Sequence, residues 1–106
     1  MKIHFTEHAE ENLTAIYAYH SEYARDFAES FNDEIVDFVI SNLSAHPKLG
    51  HVYNEAQSLY RIIYKQRYNI YYLIQDDTIF ILYILDGRLL LNEELGEADI
   101  ALPPVK

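Results

Sequence analysis

Three cationic side chains lie close together in the second half of the chain, within a stretch that holds no acidic residue. They are Arg61, Lys65 and Arg67, and the acid-free stretch covers residues 60–75. Guanidinium and ammonium groups bind phosphates and carboxylates, and arginine can do so through two parallel hydrogen bonds. Arg61 and Lys65 are four residues apart, so on a strand they would share one face. This stretch is therefore predicted either to bind an anion or to form salt bridges with acidic helices.

The remaining reactive residue types form no recognisable catalytic or metal-binding motif. The five histidines do not show the HExxH spacing of a zinc site. The chain has no cysteine, which excludes a thiolate nucleophile, a disulfide and a cysteine-based zinc site. Its three glycines do not cluster, and no GxSxG motif is present, so covalent catalysis is not expected. The sequence therefore predicts neither a metal nor a cofactor.

The chain as a whole is acidic, with a net charge of −9. This charge opposes the binding of a nucleic acid, because affinity for a polyanion comes mainly from cationic contacts. Some of the acids recur at a spacing of three to four residues, at which like charges on a helix repel one another. Such a row indicates either a solvated helix face or a basic partner. Its members are Glu22, Asp26, Glu29, Asp33 and Asp37.

Hydrophobic periodicity predicts the elements that must position these side chains. Apolar residues at helical spacing indicate two helices, and dense apolar runs bounded by polar turns indicate strands. Thr6 is expected to cap the first helix, and Pro47 to end the second. Residues 52–58 show no period and are predicted to be an irregular connection. In chain order we predict a strand over 2–5, helices over about 7–23 and 27–45, and strands over 59–65, 68–75 and 78–85.

Length and composition predict one α+β domain. The chain has 106 residues, and 50% of them are hydrophobic. The longest uncharged apolar run, Thr78 to Leu85, is too short to span a bilayer, and residues 1–6 lack the apolar core of a signal peptide. We therefore expect a cytoplasmic protein without membrane contact. Residues 1–88 are expected to form the domain, and residues 89–106 a C-terminal tail that belongs to the same unit.

Both faces of the predicted sheet are apolar. Two helices can cover only one face of an antiparallel sheet, whose second face is normally polar. We therefore expect the second face to be covered by the C-terminal tail, by a second copy of the chain or by a different protein. The sequence leaves open which face the helices cover. One docking set would be Tyr71, Leu73, Ile81 and Tyr83, and the other Ile70, Tyr72, Phe80 and Leu82.

Five short segments are informative through their order and spacing. They are Thr6–Leu13 (TEHAEENL), Leu43–Gly50 (LSAHPKLG), Arg61, Tyr68–Tyr72 (YNIYY) and Ile81–Arg88 (ILYILDGR). Together they resemble the RelE/ParE superfamily of bacterial toxins, and specifically its ParE branch, over about residues 3–88. The resemblance implies an α+β fold in which a strand and a helical hairpin precede a three-stranded antiparallel meander, with the helices on one face of a twisted sheet. It also implies a type II toxin-antitoxin module of the plasmid-stabilisation kind, in which an antitoxin neutralises the toxin.

The superfamily contains two activities. Its ribonucleases cut mRNA on the ribosome with basic and acid-base side chains, including a His or Tyr near the end of the last strand. Here Asp86 stands where many of these relatives have His, and Asn69 where Arg is frequent. The change at Asp86 removes the most natural general acid for attack of a 2′-hydroxyl on phosphate. ParE-type relatives instead inhibit DNA gyrase by protein-protein contact, which needs no acid-base pair.

The resemblance therefore favours a ParE-like inhibitor of DNA gyrase that is not itself an enzyme and is bound by a cognate antitoxin. Arg61 and Arg88 would contact the partner, together with the apolar set Tyr71, Leu73, Ile81 and Tyr83. The first alternative is a ribosome-dependent endoribonuclease that acts on mRNA through Arg61, Lys65, Arg67 and Arg88. The second is a non-toxic homologue that retains antitoxin binding and forms a homodimer.

Overall fold

The computed structural model describes residues 1–87, which form two helices and five strands. The elements are β1 (Lys2–Phe5), α1 (Glu7–Ser21), α2 (Arg25–Ala45), β2 (His51–Asn54), β3 (Leu59–Tyr64), β4 (Tyr68–Gln75) and β5 (Thr78–Asp86). The predicted α+β class and the order of strand, helical hairpin and meander are confirmed. Arg88 and the predicted tail lie outside the described residues. Neither helix of this part of the chain is long and apolar enough to cross a membrane.

All five strands form one sheet in the order β1-β5-β4-β3-β2. Strands β2 to β5 pair antiparallel, whereas β1 pairs parallel with β5, with Lys2 opposite Thr78. The parallel pair arises because the helical hairpin carries the chain from β1 to the opposite edge of the sheet, from which the meander returns to β5. The sheet is therefore mostly, but not wholly, antiparallel, and it has one strand more than the sequence predicts.

The additional strand is β2, which corrects the prediction of an irregular connection over residues 52–58. The first three of its four residues are exposed, and its pairing with β3 shifts between Val52 and Asn54. Edge strands are commonly short and bulged. Because β2 buries no apolar face of its own, it lacks the two-residue hydrophobic alternation by which a strand is recognised in a sequence.

Thr6 joins the start of α1 to the sheet. As predicted, it is the N-cap residue, and its hydroxyl oxygen accepts a hydrogen bond from the N–H of Ala9 at 3.3 Å. The same hydroxyl donates to the carbonyl of Ile81 in β5 at 2.8 Å. Helix α1 ends at Ser21, two residues before the predicted end, and Tyr23 lies in the connection to α2.

Helix α2 begins at Arg25, two residues before the predicted start, and confirms its predicted apolar stripe of Phe31, Ile35, Phe38, Val39 and Leu43, whereas Phe27, also predicted to belong to the stripe, is 52% exposed. Ile35, Val39 and Leu43 are at most 1% exposed and pack against the strands. The helix ends at Ala45, as expected for a chain in which Pro47 disfavours a helical conformation of His46. The buried apolar cluster between the two helices and the sheet is called here the helix-side cluster. Its members are Ala9, Phe31, Ile35, Val39, Leu43, Tyr60, Ile62, Tyr64, Tyr68, Ile70, Tyr72, Ile79, Ile81 and Ile84.

A bulge in β5 decides which residues face the helices. Tyr71 pairs with Tyr83, but its neighbour Tyr72 pairs with Ile81, so Leu82 is an extra residue without an opposite partner. Ile79, Ile81 and Ile84 consequently point to the helix side. The opposite face, called here the second sheet face, contains a separate apolar cluster made of Leu59, Tyr71, Leu73, Phe80, Leu82, Tyr83 and Leu85.

Candidate functional site

Arg61 lies in the middle of β3, opposite His51 of β2 and Tyr71 of β4. Its positive charge acts on the nearby hydroxyl of Tyr71, and within residues 1–87 its buried Nε has no hydrogen-bond acceptor. The other two arginines of residues 1–87 pair with carboxylates, Arg25 with Glu29 and Arg67 with Asp86, whereas Arg61 has no carboxylate within 4.0 Å in that part of the chain. Arg61 therefore retains unused capacity to bind an anionic group.

Tyr71, which lies opposite Arg61, has the ring of Tyr53 beside its own. The rings of Tyr53 and Tyr71 meet edge to face, with their centroids 5.2 Å apart. Burial raises the pKa of Tyr71, and nearby Tyr53 raises it further, while Arg61 has the opposite, smaller influence. A phenol with a raised pKa gives up its proton less readily. Tyr71 is therefore better suited to orient Arg61 than to act as a general acid.

His51 joins Arg61 in the structure, although no motif in the sequence predicts a functional role for His51. Strand β2 brings it opposite Arg61, on the same side of the sheet as Arg61 and Tyr71. Its side chain is exposed, so its imidazole is accessible to an incoming group. The only available signal was the spacing of His51 from Arg61. Reading that spacing as a cross-strand pair required the edge strand to be recognised first.

Lys65 does not share a face with Arg61. Strand β3 ends at Tyr64, and Lys65 and Gln66 form the connection to β4 with φ angles of 53° and 56°. Nζ of Lys65 lies 3.2 Å from Oε1 of Glu34 in α2. The hydrogen bond to Glu34 raises the pKa of Lys65. Lys65 therefore does not share an anion site with Arg61, and the predicted alternative, a salt bridge to an acidic helix, is what the structure shows for Lys65.

Arg67 contributes to a different place, at the end of β5. Its Nε lies 3.3 Å from Oδ2 of Asp86, and its guanidinium lies 5.3 Å from the ring centroid of Tyr68. The N–H of Gly87 donates to the carbonyl of Arg67. Arg67 and Asp86 thus hold the ends of β4 and β5 together. Beside them is a cavity of about 500 Å³, lined by Tyr19, Gln66, Arg67, Asp86 and Gly87.

His20 is a buried histidine on the helix side of the sheet. It is 8% exposed, its Nε2 lies 3.4 Å from the hydroxyl of Tyr68, and its Nδ1 has no hydrogen-bond partner among residues 1–87. Burial lowers the pKa of His20, and the positive charge of Arg67 lowers it further. His20 and Arg61 lie on opposite sides of the sheet, so the two do not form one catalytic site.

The bulge in β5 also divides the predicted docking sets. Tyr71, Leu73 and Tyr83 share the second sheet face with Phe80 and Leu82, and all of these side chains are between 1% and 8% exposed. The remaining three members of the two sets, Ile70, Tyr72 and Ile81, are each 0% exposed on the helix side. Neither predicted set therefore forms one surface. Arg88, the other predicted contact residue, lies outside the described part of the chain.

Beside the buried cluster, the second sheet face has an accessible margin along β2 and β3. Tyr53 and Ile63 are exposed there, and Arg61 lies between them, partly exposed. This margin offers one cation, one imidazole and apolar surface, a combination that suits an acidic or phosphate group joined to apolar side chains. Residues 1–87 contain no group of three or more His, Cys, Asp or Glu arranged to hold a metal ion.

Comparison with known proteins identifies a protein family whose model matches this chain. A family model described as the ParE toxin of the type II toxin-antitoxin system parDE matches residues 3–90. No curated protein sequence matches the chain significantly. Among solved structures, the chain resembles one of a chromosomal ParDE toxin-antitoxin system from P. aeruginosa, with a TM-score of 0.70 and 18% identity over 81% of this chain and 95% of that one. It also matches a conserved hypothetical protein, HP0894 from Helicobacter pylori, with a TM-score of 0.45 and 14% identity over 83% of this chain and 96% of that chain.

Proposed function

Because the chain belongs to the ParE toxin family of type II toxin-antitoxin systems, we propose that its free form inhibits DNA gyrase by protein-protein contact. A cognate antitoxin would neutralise it, as part of a module that stabilises a plasmid or another replicon. Inhibition by contact requires a surface of suitable shape and charge and no catalytic acid-base pair. It is therefore compatible with an acidic chain that has a net charge of −9.

The observation that favours gyrase over mRNA as the target is the ion pair between Asp86 and Arg67. Asp86 occupies the end of the last strand, where the resemblance places the His of many ribonuclease relatives. In place of an imidazole, this position carries a carboxylate whose Oδ2 lies 3.3 Å from Nε of Arg67 and forms an ion pair with it. The proposed function therefore does not use this position for chemistry.

Arg61 is the proposed contact for the antitoxin. Its guanidinium has no carboxylate partner within residues 1–87, and the exposed side chains of Tyr53 and Ile63 lie beside it. Tyr71, Leu73 and Tyr83 share this face but are buried, so the proposed contact is limited to Arg61 and the exposed margin. Ile81 is withdrawn as a contact because it belongs to the helix-side cluster.

A supercoiling assay with purified DNA gyrase tests this function. Relaxed plasmid, gyrase and ATP are combined with increasing amounts of the protein, alone or after incubation with the product of any short open reading frame beside its gene, which is the antitoxin candidate. We expect supercoiling to fall with added protein and to recover when antitoxin is present. Full gyrase activity at saturating protein would rule out gyrase as the target.

The pairing of His51 with Arg61 supports a second candidate, the ribosome-dependent endoribonuclease. An imidazole and a guanidinium on one face can act as general base and phosphate ligand in cleavage by a 2′-hydroxyl. Addition of the protein to a translating extract would then produce cuts in mRNA within the ribosomal A site, and His51→Ala would abolish them. Intact mRNA in that extract eliminates this candidate.

The remaining alternative is a non-toxic homologue. Growth without any defect on induction of the protein, together with retained antitoxin binding, would identify it.

A further inference from the structure

Exposed aromatic side chains cluster where α1 connects to α2. Tyr19, Tyr23 and Phe27 are 50%, 77% and 52% exposed. Ring contacts join them: Tyr19 lies 5.6 Å from Tyr23, and His20 lies 5.5 Å from Tyr19 and 5.1 Å from Phe27, measured between centroids. Single exposed apolar residues are common on protein surfaces, whereas contiguous aromatic ones are typical of interfaces. Tyr19, Tyr23 and Phe27 are called here the aromatic patch.

The aromatic patch packs on the side chain of His20, which belongs to a buried aromatic layer. His20 contacts Phe31 as well as the patch, and Phe31 packs on Tyr68 with a centroid distance of 5.3 Å. The imidazole is 8% exposed, yet its Nδ1 has no hydrogen-bond partner in the described part of the chain. Tyr19 and Phe27, whose rings contact His20, lose less conformational freedom when a partner binds than unsupported side chains would. This buried layer also contains one polar atom, Nδ1 of His20, that forms no hydrogen bond within residues 1–87.

The charges beside the aromatic patch are predominantly negative. Glu22 lies within the connection, and Asp26, Asp33 and Asp37 follow on α2 at intervals of seven and four residues, which places them along one helix face. Within residues 1–87 none of these four carboxylates has an ion-pair partner, whereas Arg25 pairs with Glu29. Glu22, Asp26, Asp33 and Asp37 are called here the acidic row. At 1.5 Å per residue, its α2 part spans about 16 Å, or three helical turns.

We propose that the aromatic patch and the acidic row together bind an amphipathic, basic segment of a partner protein. Its apolar side chains would contact Tyr23 and Phe27, and its Lys or Arg side chains would pair with the acidic row. Complementary charge selects this kind of partner, because a row of unpaired like charges costs stability that a basic segment restores. The inference does not depend on the target proposed above, since the aromatic patch lies at the tip of the helical hairpin and Arg61 lies on the second sheet face.

A synthetic peptide provides the probe. It is an 18-residue amphipathic helix with Leu and Trp on one face and Lys and Arg on the other, and a second version carries Glu in place of each cation. Binding to the full chain is followed by fluorescence anisotropy at low and high salt. We expect the basic peptide to bind roughly tenfold or more tightly than the acidic one, with affinity that falls as salt rises.

Two sets of substitutions distinguish a specific surface from general attraction to an acidic protein. Tyr23→Ser combined with Phe27→Ser leaves the net charge unchanged and should weaken binding by roughly tenfold or more. The matched control, Leu49→Ser combined with Val52→Ser, removes exposed apolar side chains elsewhere and should leave affinity unchanged. Asp26→Asn, Asp33→Asn and Asp37→Asn together should remove most of the salt dependence. Circular dichroism checks that each variant is folded.

Equal binding by the wild type and the Tyr23/Phe27 variant would overturn the proposal, as would equal affinity for the two peptides. Sedimentation of the free chain tests the other occupant, a second copy. A dimer that becomes monomeric in the Tyr23/Phe27 variant would show that the aromatic patch binds another copy of this chain, and would likewise overturn the basic partner.

Discussion

The phenol of Tyr72, at the centre of β4, accepts a hydrogen bond from the backbone N–H of Gly50 at 2.9 Å. This hydrogen bond joins two residues that are 22 positions apart in the sequence. It holds the segment that follows α2 against the helix side of the sheet. Burial raises the pKa of Tyr72, so the hydroxyl keeps its proton and remains neutral within the core. The connection from α2 to β2 is therefore held to the core in part by this hydrogen bond.

Tyr72→Phe should lower the free energy of unfolding by about 1–3 kcal/mol, because the Gly50 N–H loses its acceptor. The matched control is Tyr60→Phe, which changes the ring stacked on Tyr72, with centroids 5.3 Å apart, and leaves the Gly50 bond in place. Urea unfolding of both variants measures the difference. Equal losses for the two would contradict a specific role of the bond.

Gly50→Ala should also destabilise the fold, for a steric reason. A Cβ at residue 50 would lie 2.7 Å from the carbonyl oxygen of Arg61 and 2.9 Å from the Tyr72 hydroxyl. The carbonyl belongs to β3 and cannot move without disturbing the sheet, so we expect a cost of about 1–3 kcal/mol. Thermal unfolding measures it, with exposed Ser44→Ala as the control. An unchanged midpoint would show that the connection relaxes without cost.

Thr6→Ala should cost about 1–2 kcal/mol, because it removes both the helix cap and the bond to the Ile81 carbonyl. Thr6→Ser retains the hydroxyl and should recover most of the loss. Chemical unfolding compares the three proteins. If Ser restores nothing, the methyl group of Thr6 is what matters.

Stability should fall in mild acid because of His20. Its pKa in the folded state is lowered from the ordinary value of 6.5, so between the two values the unfolded chain binds more protons. The stabilisation that comes from keeping His20 neutral in the folded state is therefore complete above about pH 6.5. It is lost as the pH falls through the folded-state pKa. Urea unfolding between pH 7.5 and 5 should show a smaller decline for His20→Gln than for the wild type, while exposed His46→Gln should decline as the wild type does. Parallel declines in all three proteins would assign the pH dependence to other groups.

Arg61→Ala should weaken binding of the proposed antitoxin by roughly tenfold to a hundredfold, since charged hydrogen bonds at interfaces are among the strong ones. Arg61→Lys keeps the charge without the planar fork and should restore affinity only in part. Arg25→Ala, which removes an exposed arginine on α2, serves as the control. Calorimetric titration measures all three, and an affinity unchanged in Arg61→Ala would place the antitoxin elsewhere.

The elements that the sequence predicts well are those with a buried face and a clear period. The stripe of Ile35, Val39 and Leu43 identifies α2, and Thr6 identifies the start of α1. Strand β2 escapes because an exposed edge strand needs no apolar alternation. The bulge at Leu82 cannot be predicted for a different reason. Every residue near it is apolar, so the sequence does not show that the side chains change faces there.

These two omissions account for the errors in the candidate site. Without β2, nothing indicates that His51 lies opposite Arg61. Without the bulge, strict alternation assigns Ile81 and Tyr83 to one face, although they lie on opposite faces. Lys65 is misplaced because it adopts a φ of 53° in a connection that contains neither Gly nor Asn, the usual signals of such a turn.

The parallel pairing of β1 with β5 places the start of the fold beside its end. Phe5 pairs with Ile81, so the sheet cannot acquire its edge strand until almost the whole domain has been synthesised. Contacts between residues so far apart in sequence also close slowly, since a long loop must be ordered first. A nascent chain that stops before β5 therefore lacks both a complete sheet and an anchor for Thr6. Chains truncated before β5 should accordingly fail to form this sheet.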